Sequence, residues 1–149
     1  MEMARKYQFP SSLSSKVEQS KYERWLHWRA VAHVKRDRLR GNQTATVERY
    51  KLAIHKAVLE SDGQDPYTGE SLDWSLIGTY RNEEAELEGR RYKARFALLP
   101  SVDHTGDGLG PADFVICGWR TNDAKSDLSF AEFVALCRKV VGKEDQQSK

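Results

Sequence analysis

Residues 99–133, LPSVDHTGDGLGPADFVICGWRTNDAKSDLSFAEF, decide how this chain is read. They predict a short strand ending in Asp103-His104, a glycine-rich loop, a second short strand from Asp113 to Cys117, and a helix that starts near Thr121. The helix carries Asn122 and Lys125, so a carboxylate, an imidazole, an amide oxygen and an ammonium fall within one compact unit.

Downstream, Ser129-Phe130-Ala131-Glu132 has capping-box spacing and predicts a C-terminal helix. Phe133, Leu136, Cys137 and Val140 mark its buried face, Gly142 its end, and residues 143–149 a polar, frayed tail. Upstream, residues 91–98 alternate: Tyr92, Ala94, Phe96 and Leu98 on one side, Arg91, Lys93 and Arg95 on the other. That predicts a half-buried strand whose outward cations lead toward Asp103. Residues 82–89 are acidic and read as a solvated loop or short helix. Residues 61–71, SDGQDPYTGES, are turn chemistry, and residues 72–80 return to apolar side chains.

The N-terminal part is helical and basic. Residues 1–13 read as a loose arm. Ser15-Lys16-Val17-Glu18 resembles a capping box opening a helix that runs to about Arg40 and stops at Gly41. Tyr22, Leu26, Ala30 and Val34 give its apolar face, widened by Trp25 and Trp28. A second helix, from Thr46 to Ser61, buries Val47, Tyr50, Ile54 and Val58. The link between the two is short, so they pack antiparallel. The run Lys35-Arg36-Asp37-Arg38-Leu39-Arg40 is either a solvated helix end whose cations suit the dipole or a phosphate-contacting patch.

Composition bounds the classes. Hydrophobic residues make up 39% and charged residues 31%, enough for a core under a polar surface. No apolar run approaches a membrane span, and the N-terminus lacks the apolar stretch of a secretory signal, so the cytoplasm is the default compartment and no membrane partner is expected. Residues 1–62 hold 13 Lys/Arg against 7 Asp/Glu, while residues 63–149 hold 11 against 15. A basic N-terminal part on a nearly neutral chain suggests a polyanion-binding face. The chain divides by composition into a basic helical region (1–62), a core (63–142) and the polar tail, within what reads as one compact unit. Cys117 and Cys137 read as buried thiols; with no C-x-x-C, no structural zinc is expected. His27, His33 and His55 lack metal-ligand spacing.

Standard sites fall away. There is no phosphate-binding glycine loop and no nucleophile elbow. An EF-hand counted from Asp103 would need a glutamate where Phe114 stands. What remains is the order strand, Asp103-His104, loop, Asp113 strand, then Asn122-Asp123-Ala124-Lys125-Ser126-Asp127, with Asn122 eighteen residues after His104. Together with the upstream turn Tyr67-Thr68-Gly69-Glu70, this resembles the HNH endonuclease family, over roughly residues 65–140.

The resemblance implies an α+β fold with a ββα-metal (His-Me finger) core, an N-terminal helical hairpin and a C-terminal helix. It implies a metal-dependent endonuclease that hydrolyses DNA, leaving 3′-OH and 5′-phosphate ends. His104 would be the general base, suited by an unperturbed pKa near about 6.5. Asp103 and Asn122 would be oxygen ligands of one divalent cation, Mg²⁺ first, with Mn²⁺ or another metal as alternatives. Asp113 departs from the family's usual Asn or His; it is expected to orient the His104 peptide, a direct metal role being the lesser reading. Lys125 is a phosphate contact or a helix-surface lysine. Arg91, Lys93, Arg95, Arg36, Arg38 and Arg40 are further candidates for the phosphate backbone, where binding would be salt-sensitive. The alternative class is a non-catalytic nucleic-acid-binding or interaction module on a decayed HNH scaffold. Sequence specificity, oligomeric state and any immunity or restriction partner are not encoded in a readable way.

Overall fold

The computed structural model describes residues 6–148. Helix α1 spans Gln19–Leu39 and α2 spans Val47–Ser61. The four-residue stripe of α1 is realised: Tyr22, Leu26, Ala30 and Val34 are buried, facing Tyr50, Ile54 and Val58 of α2. The helices run antiparallel, with Tyr22 near the start of α1 bonded to His55 near the end of α2 (2.6 Å) and Asp37 near the end of α1 bonded to Tyr50 near the start of α2 (2.5 Å). Thr46 caps α2 by accepting from the Arg49 N–H.

Among the described residues the fold is α+β, with six α-helices and one two-stranded antiparallel sheet. Strands β1 (Pro100–His104) and β2 (Phe114–Gly118) pair with Asp103 opposite Val115 and His104 opposite Phe114. Val102, Phe114 and Ile116 join the helical hairpin and Trp74 in one core. Helix α5 (Trp119–Lys125) follows β2 directly and α6 (Phe130–Gln147) ends the described chain. None of these helices is long and apolar enough to cross a membrane.

Asp65 fixes where α5 begins. Its buried carboxylate accepts from Tyr67 N (2.7 Å), Gly118 N (3.0 Å) and the Thr121 hydroxyl (2.8 Å). It thereby ties the turn at residues 61–71 to the strand-to-helix junction. Gly118 is required there, since a Cβ would lie 2.9 Å from the Ala97 carbonyl.

Several expectations are corrected. Residues 91–98 form no strand: Arg90–Arg95 is a short helix, α4, after α3 (Asn82–Glu88). The alternation of Tyr92, Ala94 and Phe96 was compatible with both periods. The helix buries Tyr92 and Phe96, four apart, in a small cluster with Ala85 and leaves Ala94 exposed. The Ser15 capping box does not form; α1 begins at Gln19 with no side-chain cap. Trp25 packs on the core, but Trp28 is 60% exposed. The arm expected at residues 1–13 lies partly outside the described residues. Its described part is anchored, with Tyr7 and Phe9 buried and Gln19 donating to the Tyr7 carbonyl at 2.7 Å. The α6 capping box is present, yet no α6 residue is buried, Cys137 is exposed, and the helix continues through Gly142 to Gln147. The tail expected to fray is therefore helical through Gln147 and capped at Ser148.

Asp65→Ala removes the acceptor of four donors: the Tyr67, Thr68 and Gly118 N–H groups and the Thr121 hydroxyl. It is expected to destabilise the fold by about 2–4 kcal/mol, read as a lower urea midpoint with an unchanged slope.

Candidate active site

Strand β1 places Asp103 and His104 at adjacent positions, and both line one cleft of about 570 Å³. Its walls come from the end of α1 (His33, Arg36, Asp37, Arg40), from Tyr67, from the hairpin loop at Thr105–Asp107, and from α5 and the turn into α6.

His104 is held by a carboxylate that the motif reading did not include. Its Nε2 lies 2.6 Å from Asp37 Oδ2, and Asp37 is fully buried. The same oxygen accepts from the Tyr50 hydroxyl at 2.5 Å, and Oδ1 lies 3.3 Å from Arg40 Nη1. A carboxylate only accepts, so Nε2 of His104 carries the hydrogen, and in the neutral ring the lone pair sits on Nδ1. Nδ1 has no hydrogen-bond partner among the described residues. The ring packs against Phe114, with centroids 4.4 Å apart.

The hairpin loop is shaped to admit this carboxylate. Gly108 has φ +82°, and a Cβ there would sit 2.6 Å from Asp37 Oδ1. Asn42, in the α1–α2 link, donates to the Gly108 carbonyl at 2.7 Å. The loop is thus hooked to the helical hairpin at Gly108, four residues after His104.

Asp103 lies in a second buried cluster. Its Oδ2 accepts from Tyr67 Oη (2.8 Å) and lies 3.1 Å from Lys125 Nζ. Its Oδ1 has only a 3.5 Å contact, again from Lys125. Asn122 donates through Nδ2 to Ser101 Oγ (2.8 Å), and its Oδ1 has no hydrogen-bond partner among the described residues. Two oxygens on cleft-lining residues therefore have coordination capacity left. They fit a hard divalent cation that keeps most of its waters. No group of three His, Cys, Asp or Glu could cage a metal among the described residues. The Lys125 ammonium already neutralises part of the Asp103 charge, so any second cation there would be held more weakly than by a free carboxylate.

The electrostatics around His104 are uneven. His33, its ring 5.3 Å away edge-on, is pushed down to about 3, mainly by burial and then by the Arg36 charge. It stays neutral at ordinary pH. Burial and the bond to Asp37 push the Tyr50 phenol up, and burial with the bond to Asp103 does the same for Tyr67. Both remain hydrogen-bond donors. Burial pushes the Cys117 thiol up to about 12, which makes it inert.

The other sequence-derived candidates separate. Arg36 and Arg40 line the cleft. Arg38 turns away, its Nε donating to the Ala45 carbonyl (3.0 Å). Arg91, Lys93 and Arg95 sit on α4 outside the cleft lining, with Arg95 paired to Glu88 at 2.5 Å. Lys125 also lines the cleft, where it is buried and paired with Asp103. The Asp113 side chain is exposed and makes no hydrogen bond among the described residues; its carbonyl accepts from Thr105 N (3.2 Å). Bracing of the His104 loop therefore runs through the Asp113 peptide, not its carboxylate. Asp37 had a sequence signal: it extends the buried stripe of Ala30 and Val34 by one further step.

Two outcomes test this geometry. Lys125→Met strands the Asp103 carboxylate and is expected to cost about 3–5 kcal/mol of stability in urea unfolding. His33 is neutral in the folded state down to about 3, whereas an unfolded histidine binds a proton near 6.5. Its contribution is complete above 6.5 and is lost as pH falls from 6.5 toward 3. His33→Gln is therefore expected to give a shallower acid limb in a series of urea midpoints against pH. The chain matches no family model, no curated protein and no solved structure.

Proposed function

We propose that this chain is a metal-dependent endonuclease of the HNH type, with a ββα-metal core, that hydrolyses DNA phosphodiester bonds with His104 as general base. One observation carries the reading: the buried Asp37 carboxylate grips His104 through Nε2 in the cleft that also presents Asp103 and Asn122 oxygens.

The chemistry follows from which atoms are free. A water oxygen attacks phosphorus as its proton passes to His104 Nδ1; the bond from phosphorus to the 3′ oxygen breaks, and that oxygen leaves with the bonding pair and takes a proton from a solvent water, the imidazolium later giving its proton back to solvent. The products carry 3′-OH and 5′-phosphate ends. Asp37 keeps the ring in the tautomer that leaves Nδ1 available and stabilises the imidazolium that forms. Tyr50 and Arg40 hold Asp37 in place in turn. Asp103 and Asn122 would hold a divalent cation, Mg²⁺ or Mn²⁺, whose chemistry there would be charge neutralisation at the scissile phosphate and the leaving oxygen.

Substrate positioning falls to the end of α1. Arg36 and Arg40 are one turn apart and bring two guanidinium groups to the cleft wall. Arg29 shares their helix face at a spacing of seven from Arg36. Contacts of this kind read the backbone and carry no sequence information.

Supercoiled plasmid incubated with Mg²⁺ or Mn²⁺ tests the reading. The wild type is expected to nick or linearise it, and His104→Ala to cut about 10²–10⁴-fold more slowly while still binding DNA. Asp37→Asn is expected to lose about 10²-fold or more at unchanged binding. Arg36→Ala and Arg40→Ala are each expected to weaken binding and reduce the salt slope by about one. Binding without metal-dependent cutting of any DNA or RNA substrate overturns the proposal in favour of the non-catalytic module.

A further inference from the structure

Trp28 serves neither the core nor the cleft. It stands 60% exposed on the solvent side of α1, with the His27 ring edge-on to it at 5.1 Å between centroids. The stretch around it, Arg24 to Arg40, holds six Lys/Arg and a single carboxylate, Asp37, which is fully buried and committed to His104. Arg40 is paired with that carboxylate, and Arg38 donates to the Ala45 carbonyl. Arg24, Arg29, Lys35 and Arg36 make no ion pair among the described residues. Their charge is left for something outside the chain.

Helix geometry sets where these groups stand. Arg29 and Arg36, seven residues apart, share one edge of α1 about 10 Å from each other, and Arg36 meets the cleft on that edge. Trp28 flanks Arg29 on the outer side, and the small Ala32, one turn on, leaves the helix surface low between Trp28 and Arg36. Arg36 leans back over this turn, its Nε 3.5 Å from the Ala32 carbonyl. Partial burial and then the Arg36 charge hold the Arg29 guanidinium below the ordinary arginine value, so an anion between the two relieves their repulsion.

We propose that this edge of α1 receives single-stranded DNA running out of the cleft, with Arg36 and Arg29 on two of its phosphates and Trp28 stacked on an unpaired base. A basic track interleaved with an exposed aromatic ring is the chemistry that holds a single strand. In a duplex each base face is covered by its neighbours, so an indole on a rigid helix finds a base only where the strand is unpaired. A membrane fits this face less well. Leu39, the next exposed apolar side chain along it, lies about 16 Å from Trp28 beyond Lys35 and Arg36, which leaves no continuous apolar strip to insert. The proposal deepens the nuclease reading by naming unpaired nucleotides beside the scissile phosphate, and it rests on that reading only for where the cut falls.

Fluorescence anisotropy of the full chain in EDTA, where no metal-dependent cutting occurs, tests it with labelled oligothymidylate and a blunt duplex of equal length. The wild type is expected to bind the single strand more tightly than the duplex. Trp28→Ala, folded by circular dichroism, is expected to lose about 5–150-fold on oligothymidylate and nothing on the duplex, and Trp28→Phe to recover most of that loss. Across a salt series Trp28→Ala leaves the slope of log affinity unchanged, because no charge is removed, while Arg29→Ala lowers it by about 0.7. A duplex bound as tightly as the single strand overturns the proposal. So does Trp28→Ala binding oligothymidylate like the wild type; if that variant instead loses phosphatidylserine vesicles, the face is a membrane contact. Trp28-dependent binding by a chain that never cuts DNA sinks the nuclease reading alone, and cutting without Trp28-dependent binding sinks this proposal alone.

Discussion

The fold turns on the burial of one carboxylate. Asp37 has no exposed surface, and a charge taken out of water is tolerated only where its acceptor positions are filled. Its partners come from different parts of the chain: Tyr50 from α2, His104 from β1, and Arg40 from the end of its own helix. Moving any of these elements leaves a buried charge without compensation. The electrostatic penalty thus fixes the helical hairpin against the sheet more tightly than apolar contact alone could. It does so at the imidazole, where tenths of an ångström matter. The absent side chain at Gly108 belongs to the same constraint, because the loop passes within contact distance of Asp37 Oδ1.

The three buried carboxylates among the described residues do different things, and their partners show why. Asp65 is surrounded by neutral donors, two of them backbone N–H groups from its own turn and one from the strand-to-helix junction, so it is spent on structure. Asp37 is spent on orienting another side chain. Asp103 has a buried ammonium and a phenol on one oxygen and only a long contact on the other. It retains coordination capacity facing a cleft, and that residual capacity separates a candidate ligand from a structural acid. The Lys125 ammonium, 3.1 Å from Oδ2, compensates the Asp103 carboxylate in its buried place.

Much of this was legible from periodicity. Strands β1 and β2, the start of α5 and the two N-terminal helices follow from alternation, four-residue stripes and glycine punctuation. The misreadings have physical causes. Tyr92 and Phe96 satisfy both a two-residue and a four-residue repeat, and the helix-favouring Arg, Lys and Ala between them decide for α4. Phe133, Leu136, Cys137 and Val140 were correctly read as one helical face, but a pattern shows only that a face is apolar, not that the same chain covers it. Asp37 was hidden by its neighbours: among Lys35, Arg36, Arg38 and Arg40 it looked like one charge in a solvated run. Its position on the stripe after Ala30 and Val34 marked it as inward all the same.

That arrangement explains why a basic segment should contain the acid the site needs. Arg36 and Asp37 are consecutive on α1, so their side chains leave the helix about 100° apart. One helix end can therefore show guanidinium groups to the cleft mouth while passing a carboxylate inward to His104. The cations at the cleft mouth and the anion that holds His104 are set by one rigid element, so their relative geometry is fixed by helix pitch. The core joins the same two regions, with Val102, Phe114 and Ile116 packed among residues of α1 and α2. The compositional break near residue 62 is thus bridged by packing and by charge. His104 is held in place only while α1 stands beside β1, which makes the helical hairpin part of the candidate site and not merely an appendage.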